Sequence, residues 1–476
     1  MAASLPSRNQ NVNTINADEV LAKDRFLRMK FSAGKAKAPI HNNEKWMRVA
    51  TNKMVIDGFY IVRYIHRTIW RVTMIYRPLR ITFGTPGIDM ASEQVVGRDA
   101  LAAEMWRAVE EGSMRLLSER RMGKTWLLRL AIAKKPDWAV PISFEAEGVG
   151  SAPELVWRLN EQLHVQKLID DDWRTRTGDW FRRSLQRMQG QQLGATEIPE
   201  LESWFSFLEG TCKRLSELGA SRKPVLVIDE LPFFLDKLIK AGHSEDAIRL
   251  LDILRQLRQT LPSLRMIFCG SLGLHLVLKG LREAGYTGRP VNDMPPFEVP
   301  PLDKEDGQYL SGCLLLGEEI TCPAIDDCAR AVAEAACGVP FYIQHVVKRM
   351  REHRHREWTP SSIRRIPSDL FVALGDPAEF KYYDSRLDQY YPDDVVERSR
   401  VALDILSRHS KGLPFDELLN LVRHSPKTLM LDAASLLDML QILRDDHYLI
   451  QNGSRWRFKL DIVRRWWFQQ RGELGL

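Results

Sequence analysis

The sequence has no run of about 18 apolar residues free of charge, so no membrane-spanning helix is expected. Its opening, MAASLPSRNQNVNTINADEV, lacks the charged-then-apolar layout of a secretory signal, and a reducing cytoplasm is the expected location. Cysteine is sparse and unpatterned. Cys212, Cys269, Cys313, Cys322, Cys328 and Cys337 contain no CxxC pair, which argues against a zinc centre or disulfide framework and for buried thiols. No repeat period or low-complexity tract interrupts the chain. The tract REHRHRE offers His353 and His355 to a metal, but a solvated basic helix end is the preferred reading.

What is present is a soluble composition, 44% hydrophobic and 27% charged, over 476 residues. That length implies two or three domains. The net charge of +6 is unevenly spread: residues 1–90 hold 15 Lys/Arg against 6 Asp/Glu, leaving the remainder slightly acidic. Within this basic part lies VIDGFYIVRYIHRTIWRVTMIYRPLRI. Arg63, Arg67 and Arg71 keep the four-residue spacing of a helix face, while the aromatic and β-branched content favours strand, and the pattern does not decide between them. A basic arm for anionic lipid or nucleic acid is one reading, and a poorly ordered extension over 1–89 the blander and preferred one. A working chain that starts near Met90 is compatible with the pattern, because regular order begins there.

From that point apolar strands alternate with amphipathic helices: helix 99–111, strand 113–118, a loop, a helix from 124, strand WAVPISFEA, a helix capped by Ser151, helix 201–219, strand KPVLVIDE, helix 245–260 and strand LRMIFCGS. This alternation predicts a parallel α/β sheet with helices on both faces over residues 90–302. Residues 165–200 are polar, rich in Gln, Arg and Gly, and read as an insertion or helical excursion. Residues 303–355 predict an all-helical lid, 356–397 a connecting stretch, and 398–476 three helices and an Asn-Gly hairpin, the pattern of a winged helix-turn-helix.

The chemistry centres on SERRMGKT, residues 118–125. A phosphate-binding loop wraps phosphate oxygens with backbone N–H groups, reaches them with a lysine and uses a hydroxyl on Mg²⁺. Gly123, Lys124 and Thr125 supply these parts, and the following helix directs its N-terminal dipole at the anion. Ser118 stands where the pattern GxxxxGK[ST] has glycine, and a small residue is expected to tolerate that turn. About a hundred residues on, PVLVIDE is a buried strand ending in two acids. Asp229 is placed to hold Mg²⁺ through water and Glu230 to orient or deprotonate the attacking water.

The order VGRD, RRMGKT, VLVIDE, FCGS, YTGRP, CGVPFYIQ, KYYDSRLDQYY and a final winged helix resembles the STAND-type branch of AAA+ ATPases, among them the archaeal-ATPase-like proteins. The resemblance covers residues 90–476. It implies that Gly97 and Arg98 lie beside the adenine, and that Arg120 and Arg121 are the paired arginines preceding the loop glycine. Glu119, Met122 and Trp126 complete the loop's cofactor-binding stretch. Gly270 and Ser271 would end a sensor strand near the γ-phosphate, and Arg289 would be a γ-phosphate sensor or a finger offered to a neighbour. Gly338 and Pro340 would be the lid element that closes over the base.

The helix in the recognition position of the C-terminal domain is ASLLDMLQILRDD, with three aspartates and one arginine. Phosphate contacts supply most affinity for DNA, so this face is expected to repel it and to serve protein contact or autoinhibition. Trp456, Trp466 and Trp467 read as core. The expectation is therefore an ATP- and Mg²⁺-dependent ATPase switch with a protein partner or self-association. A DNA-associated regulator or loader is the disfavoured alternative.

Overall fold

The computed structural model describes residues 54–56, 59–66, 69–83, 94–117, 119–188, 203–218, 222–270, 273–353, 356–425 and 428–471. The described residues within Asn52–Arg63 and Arg71–Leu476 belong to the larger of two units. The described parts of the undecided basic segment are extended: β1 (Met54–Ile56), β2 (Phe59–His66) and β3 (Ile69–Thr73) are strands, β1 pairing antiparallel with β2, while Arg67 lies outside the described residues. β-branched and aromatic side chains outweigh the helical spacing of three arginines there.

The larger unit begins its α/β core with α1 (Asp99–Glu111), β4 (Met114–Leu117), α2 (Lys124–Ala133), β5 (Ala139–Glu145), α3 (Ala152–Val165), α4 (Asp171–Met188) and α5 (Trp204–Ser216). It continues through β6 (Lys223–Asp229), α6 (Leu231–Lys240), α7 (Ser244–Thr260), β7 (Arg265–Gly270), α8 (Leu274–Glu283) and β8 (Pro296–Glu298). The five strands are parallel in the order β5-β6-β7-β4-β8. Val225, Leu226, Val227 and Ile228 are all buried, as a strand covered by helices on both faces requires. The stretch that reads as an insertion or helical excursion holds the helix α4, which is packed: Trp180 lies against Phe207, and Trp173 donates to Asn160 at 2.9 Å. Strand β8, three residues long, is absent from the sequence reading.

After the sheet come α9 (Lys304–Gly317), α10 (Ile325–Ala335) and α11 (Pro340–Glu352), then α12 (Pro360–Ile363), α13 (Ile366–Phe371) and α14 (Tyr382–Tyr390). The stretch 356–397, read as a connection, is thus largely helical. The chain ends with α15 (Asp393–Ser407), β9 (Leu413–Pro414), α16 (Phe415–Arg423), α17 (Ala433–Asp445), β10 (Leu449–Asn452), β11 (Arg455–Phe458) and α18 (Asp461–Arg471). β9, β10 and β11 form an antiparallel sheet, with Gly453 at φ 60° in the Asn-Gly turn. Trp456, Trp466 and Trp467 are buried in this part's core.

Residues 75–83 form a strap across the helices after the sheet. Leu79 N–H donates to the Cys313 carbonyl at 3.0 Å, and Ile81 N–H donates to Glu318 at 2.9 Å. Thr82 and Phe83 N–H both donate to Gln344 Oε1 at 2.9 Å, while Tyr76 Oη donates to Asp326 at 2.7 Å. The strap lies so close that a Cβ on Gly317 would sit 1.9 Å from the Leu79 carbonyl oxygen. A chain starting at Met90 would therefore leave a fitted face of α9 uncovered, and the strap belongs with the helices. All six cysteines are free, four of them buried. Among the described residues, no helix is long and apolar enough to cross a membrane.

Candidate functional site

Strand β4 delivers the loop and β6 delivers the acids, with β7 between them in the sheet. The loop backbone turns through two left-handed residues, Arg121 at φ 74° and Gly123 at φ 85°. Glycine adopts this conformation without strain, whereas Arg121 needs its side chain held. Its guanidinium is held by Glu379, Nε donating at 3.0 Å, and lies 4.5 Å over the Phe341 ring. Gly123 is the N-cap of α2, so the N–H groups at this turn and the helix dipole converge on one concavity suited to an anion.

Lys124 opens α2, is buried, and brings Nζ to 3.4 Å from Glu230 Oε1. Asp229 ends β6, and its Oδ1 accepts the Glu230 N–H at 3.1 Å. Burial pushes the Asp229 carboxyl above its ordinary range, with Lys124 opposing and Glu230 reinforcing the shift. Glu230 adopts φ 54° immediately before α6. This left-handed corner lies between the strand end and the helix, and the carboxylate meets Lys124. Thr125 is exposed at the mouth of the loop, and Trp126 is half-buried with Arg129 4.8 Å over its ring. Of these side chains, the Thr125 hydroxyl and the Asp229 carboxylate are oxygen donors of the kind that could hold a phosphate-bound Mg²⁺, while Lys124 is a cation suited to the phosphate itself. Among the described residues no cluster of three or more His, Cys, Asp or Glu side chains is set to hold a metal by itself.

Several expected contacts take a different form. Arg98 is buried and donates to the carbonyls of Met122 at 3.1 Å and Pro300 at 2.8 Å. Burial pulls its pKa down to about 10, with Asp306 and Asp303 opposing. Its guanidinium is thus engaged with the backbone of the loop and of the segment leaving the sheet. Gly97, at φ 68°, lets the chain pass Asp306, where a Cβ would approach within 2.5 Å. Met122 sits in the core and presents only its backbone to the loop. Glu119 turns inward, not toward the loop's mouth: it is buried and accepts the Tyr383 hydroxyl of α14. Burial raises its carboxyl to about 7, against the pull of Tyr383, Lys459 and Arg386. Arg120 joins Arg121 on Glu379 at 3.5 Å and lies 4.8 Å over Tyr382.

Gly338 and Pro340 start α11. Gly338 has φ 70°, and a Cβ there would come within 2.4 Å of the Leu302 carbonyl oxygen. The turn seats Pro340 at the first helical position and Phe341 beneath Arg121. Arg289 is exposed in the turn after α8, a turn pinned from behind by Arg258, which donates to Asp293 at 2.9 Å. The Arg289 side chain is not brought against the loop by any hydrogen bond or ion pair among the described residues. Gly270 ends β7, whereas Ser118 and Ser271 lie outside the described residues.

Residues 376–391 contribute a part of the site that motif reading missed. Glu379 and Tyr383 grip the loop, and Arg386 forms a buried ion pair with Asp446 at the end of α17, whose other oxygen accepts from Tyr391 at 2.9 Å. The motif KYYDSRLDQYY marked the region but not which side chains reach the loop.

No family model matches the chain, and no curated protein matches it. Among solved structures it is similar to a Walker-type ATPase of Pyrococcus abyssi, at 15% identity and a TM-score of 0.50, over 78% of this chain and 96% of that one. It is also similar to the Aeropyrum pernix ORC2 protein in its ADPNP-ADP complexes, at 10% identity and a TM-score of 0.42, over 78% of this chain and 94% of that one. A third match is Cdc6p of Pyrobaculum aerophilum, at 13% identity and a TM-score of 0.30, over 83% and 96% of the two chains. The fold is an α/β P-loop fold, followed by a helical C-terminal part. At these identities the likeness is one of fold.

Proposed function

We propose that this chain is a STAND-type AAA+ ATPase that binds ATP with Mg²⁺, hydrolyses it to ADP and phosphate, and uses the cycle as a regulatory switch in the cytoplasm. The observation that supports this reading best is the meeting of Lys124 with Glu230 at 3.4 Å, next to Asp229, across a loop built on two left-handed residues. The loop N–H groups and Lys124 would take the β- and γ-phosphates. Thr125 and Asp229 would hold Mg²⁺, which when bound neutralises phosphate charge. Phosphate oxygens would draw Lys124 away from Glu230, leaving that carboxylate to accept a proton from water in line with the γ-phosphate. The base is thus held by the lysine until substrate arrives.

On this reading residues 303–355 are the lid and residues 398–476 a winged helix that contacts protein, with 356–397 joining it to the loop through Glu379 and Tyr383. Arg289, exposed on a pinned turn, is suited to a neighbouring subunit's nucleotide. The test is Mg²⁺-dependent ATP turnover across protein concentrations, for the parent, Lys124→Ala and Glu230→Gln. Turnover should vanish in both variants, by about a hundredfold or more for Glu230→Gln, which should still bind ATP. Rates that rise with concentration and fall in Arg289→Ala would support the trans role. An unaltered rate in Glu230→Gln would refute the assigned base.

A further inference from the structure

Along α11 lie two adjoining cavities of about 490 and 610 Å³. They share Arg349, Glu352 and Asp369 as lining and so make one groove, bounded on its far side by α12, α13 and residues 372–377. Each cavity lies within the size range of ligand sites.

The groove is cationic in a region that is otherwise slightly acidic. Lys348, Arg349, Arg356 and Arg365 line it against Glu352 and Asp369. Arg349 and Glu352 are matched to each other at 2.9 Å, which leaves three cations facing Asp369. Two of these are set by aromatic rings: Lys348 lies 5.3 Å over Phe83, and Arg356 lies 5.0 Å over Trp358. Such contacts orient a cation without cancelling its charge. At one end Val372 is 66% exposed and Leu374 wholly so, although large aliphatic side chains at the end of a charged groove gain nothing from water.

We propose that this groove docks an acidic peptide segment of a partner protein, its carboxylates on Lys348, Arg356 and Arg365 and an aliphatic side chain on Val372 and Leu374. Clustered arginines recognise acidic motifs, and complementary charge steers the approach. A nucleic-acid strand fits less well, because Trp358, the tryptophan lining the groove, is 3% exposed and offers no face for a base to stack on.

The position gives such docking a consequence. The wall that carries Val372 and Leu374 continues into Asp376, which accepts the N–H groups of Phe380 at 3.0 Å and Lys381 at 2.8 Å, and then into Glu379, which holds Arg121. A peptide in the groove would lie against the segment that grips the phosphate loop. Docking itself is independent of the nucleotide reading; only this consequence rests on it.

The test uses the full chain and fluorescence anisotropy. The probe is a labelled peptide of about ten residues, glutamates with two leucines, compared with a glutamate-serine peptide and a single-stranded oligonucleotide of equal length. The glutamate-leucine peptide should bind saturably and more weakly as salt rises. The double reversal Arg356→Glu with Arg365→Glu should weaken it by about tenfold or more, and Leu374→Ser several-fold. All three residues are exposed, so folding should be unaffected. Lys124→Ala should bind the peptide like the parent, which separates failure here from failure of the nucleotide site. Absence of saturable binding, indifference to the charge reversals, equal binding of the glutamate-serine peptide, or tighter binding of the oligonucleotide at the same side chains would each overturn the proposal.

Discussion

Replacing Glu119 with glutamine tests how the loop is held to the rest of the protein. Glu119 is a loop residue with a buried carboxyl that accepts the Tyr383 hydroxyl, and burial raises it to about 7. A carboxyl raised on folding stabilises the protein most below its unfolded pKa, near 4.5, and that contribution is lost as pH rises through 7. The full difference corresponds to roughly 3 kcal/mol, most of it falling between pH 5 and pH 8.5. Glutamine keeps an oxygen for Tyr383 and cannot ionise. Glu119→Gln should therefore gain on the parent as pH rises, by about 2 to 3 kcal/mol between pH 5 and pH 8.5. Urea unfolding of both proteins at the two pH values reads this difference directly. Groups common to both proteins cancel, including His447, whose burial lowers it to about 3. A difference that stays flat with pH would mean that Glu119 is ionised throughout, and the buried latch as described would be wrong.

Other substitutions test other joints. Gly317→Ala drives a methyl into the Leu79 backbone, so it should release the strap and expose residues 75–83 to limited proteolysis, with Lys124-dependent nucleotide binding retained. Gly338→Ala combines a left-handed backbone with a clash at the Leu302 carbonyl and should destabilise the protein by about 2 kcal/mol or more, seen as a lower urea midpoint. Arg386→Met leaves Asp446 buried without its cation and should cost about 3 to 5 kcal/mol. Adding Asp446→Leu should restore much of that loss, and a cycle showing simple additivity would contradict a coupled pair. Glu379→Gln breaks a half-exposed contact, so its effect on stability should stay within about 1 kcal/mol, while nucleotide affinity rises as Arg121 becomes available to phosphate.

The parts that could be read from the sequence are those whose chemistry is written within a few adjacent residues. Gly123, Lys124 and Thr125 form their concavity from consecutive backbone groups, and Asp229 and Glu230 follow a strand whose apolar run announces burial. The helices α1, α2, α3, α5 and α7 declare themselves by period and the Asn-Gly hairpin by its turn, whereas α12, α13 and α14 lie in a stretch that reads as a connection. What escaped depends on contacts between distant segments. Glu119 is one charged residue in a charged loop until the fold sets it against Tyr383, 264 residues away. Glu379 has no motif, only a place beneath two arginines. The strap escaped for a different reason: it binds largely through backbone N–H groups, and a segment that docks by main chain on Gln344 and Glu318 leaves no period in its side chains.

These omissions share a direction. The residues missed join the phosphate loop to residues 376–391, and the strap joins the N-terminal side to the helices after the sheet. A loop whose two arginines are already held by Glu379 and whose lysine is held by Glu230 has alternative partners for each group that an anion would claim. An anion must displace those partners, and each displacement frees a side chain on a different element: Glu230 at the end of β6, and Glu379 ahead of α14. Binding at the loop would thereby be reported in two places at once, one toward the attacking water and one toward the C-terminal helices. On the proposed reading, such a double release would distinguish a switch from a site that simply holds its ligand. It should appear as positive coupling, with Glu379→Gln and Glu230→Gln each tightening nucleotide binding and the pair together tightening it further.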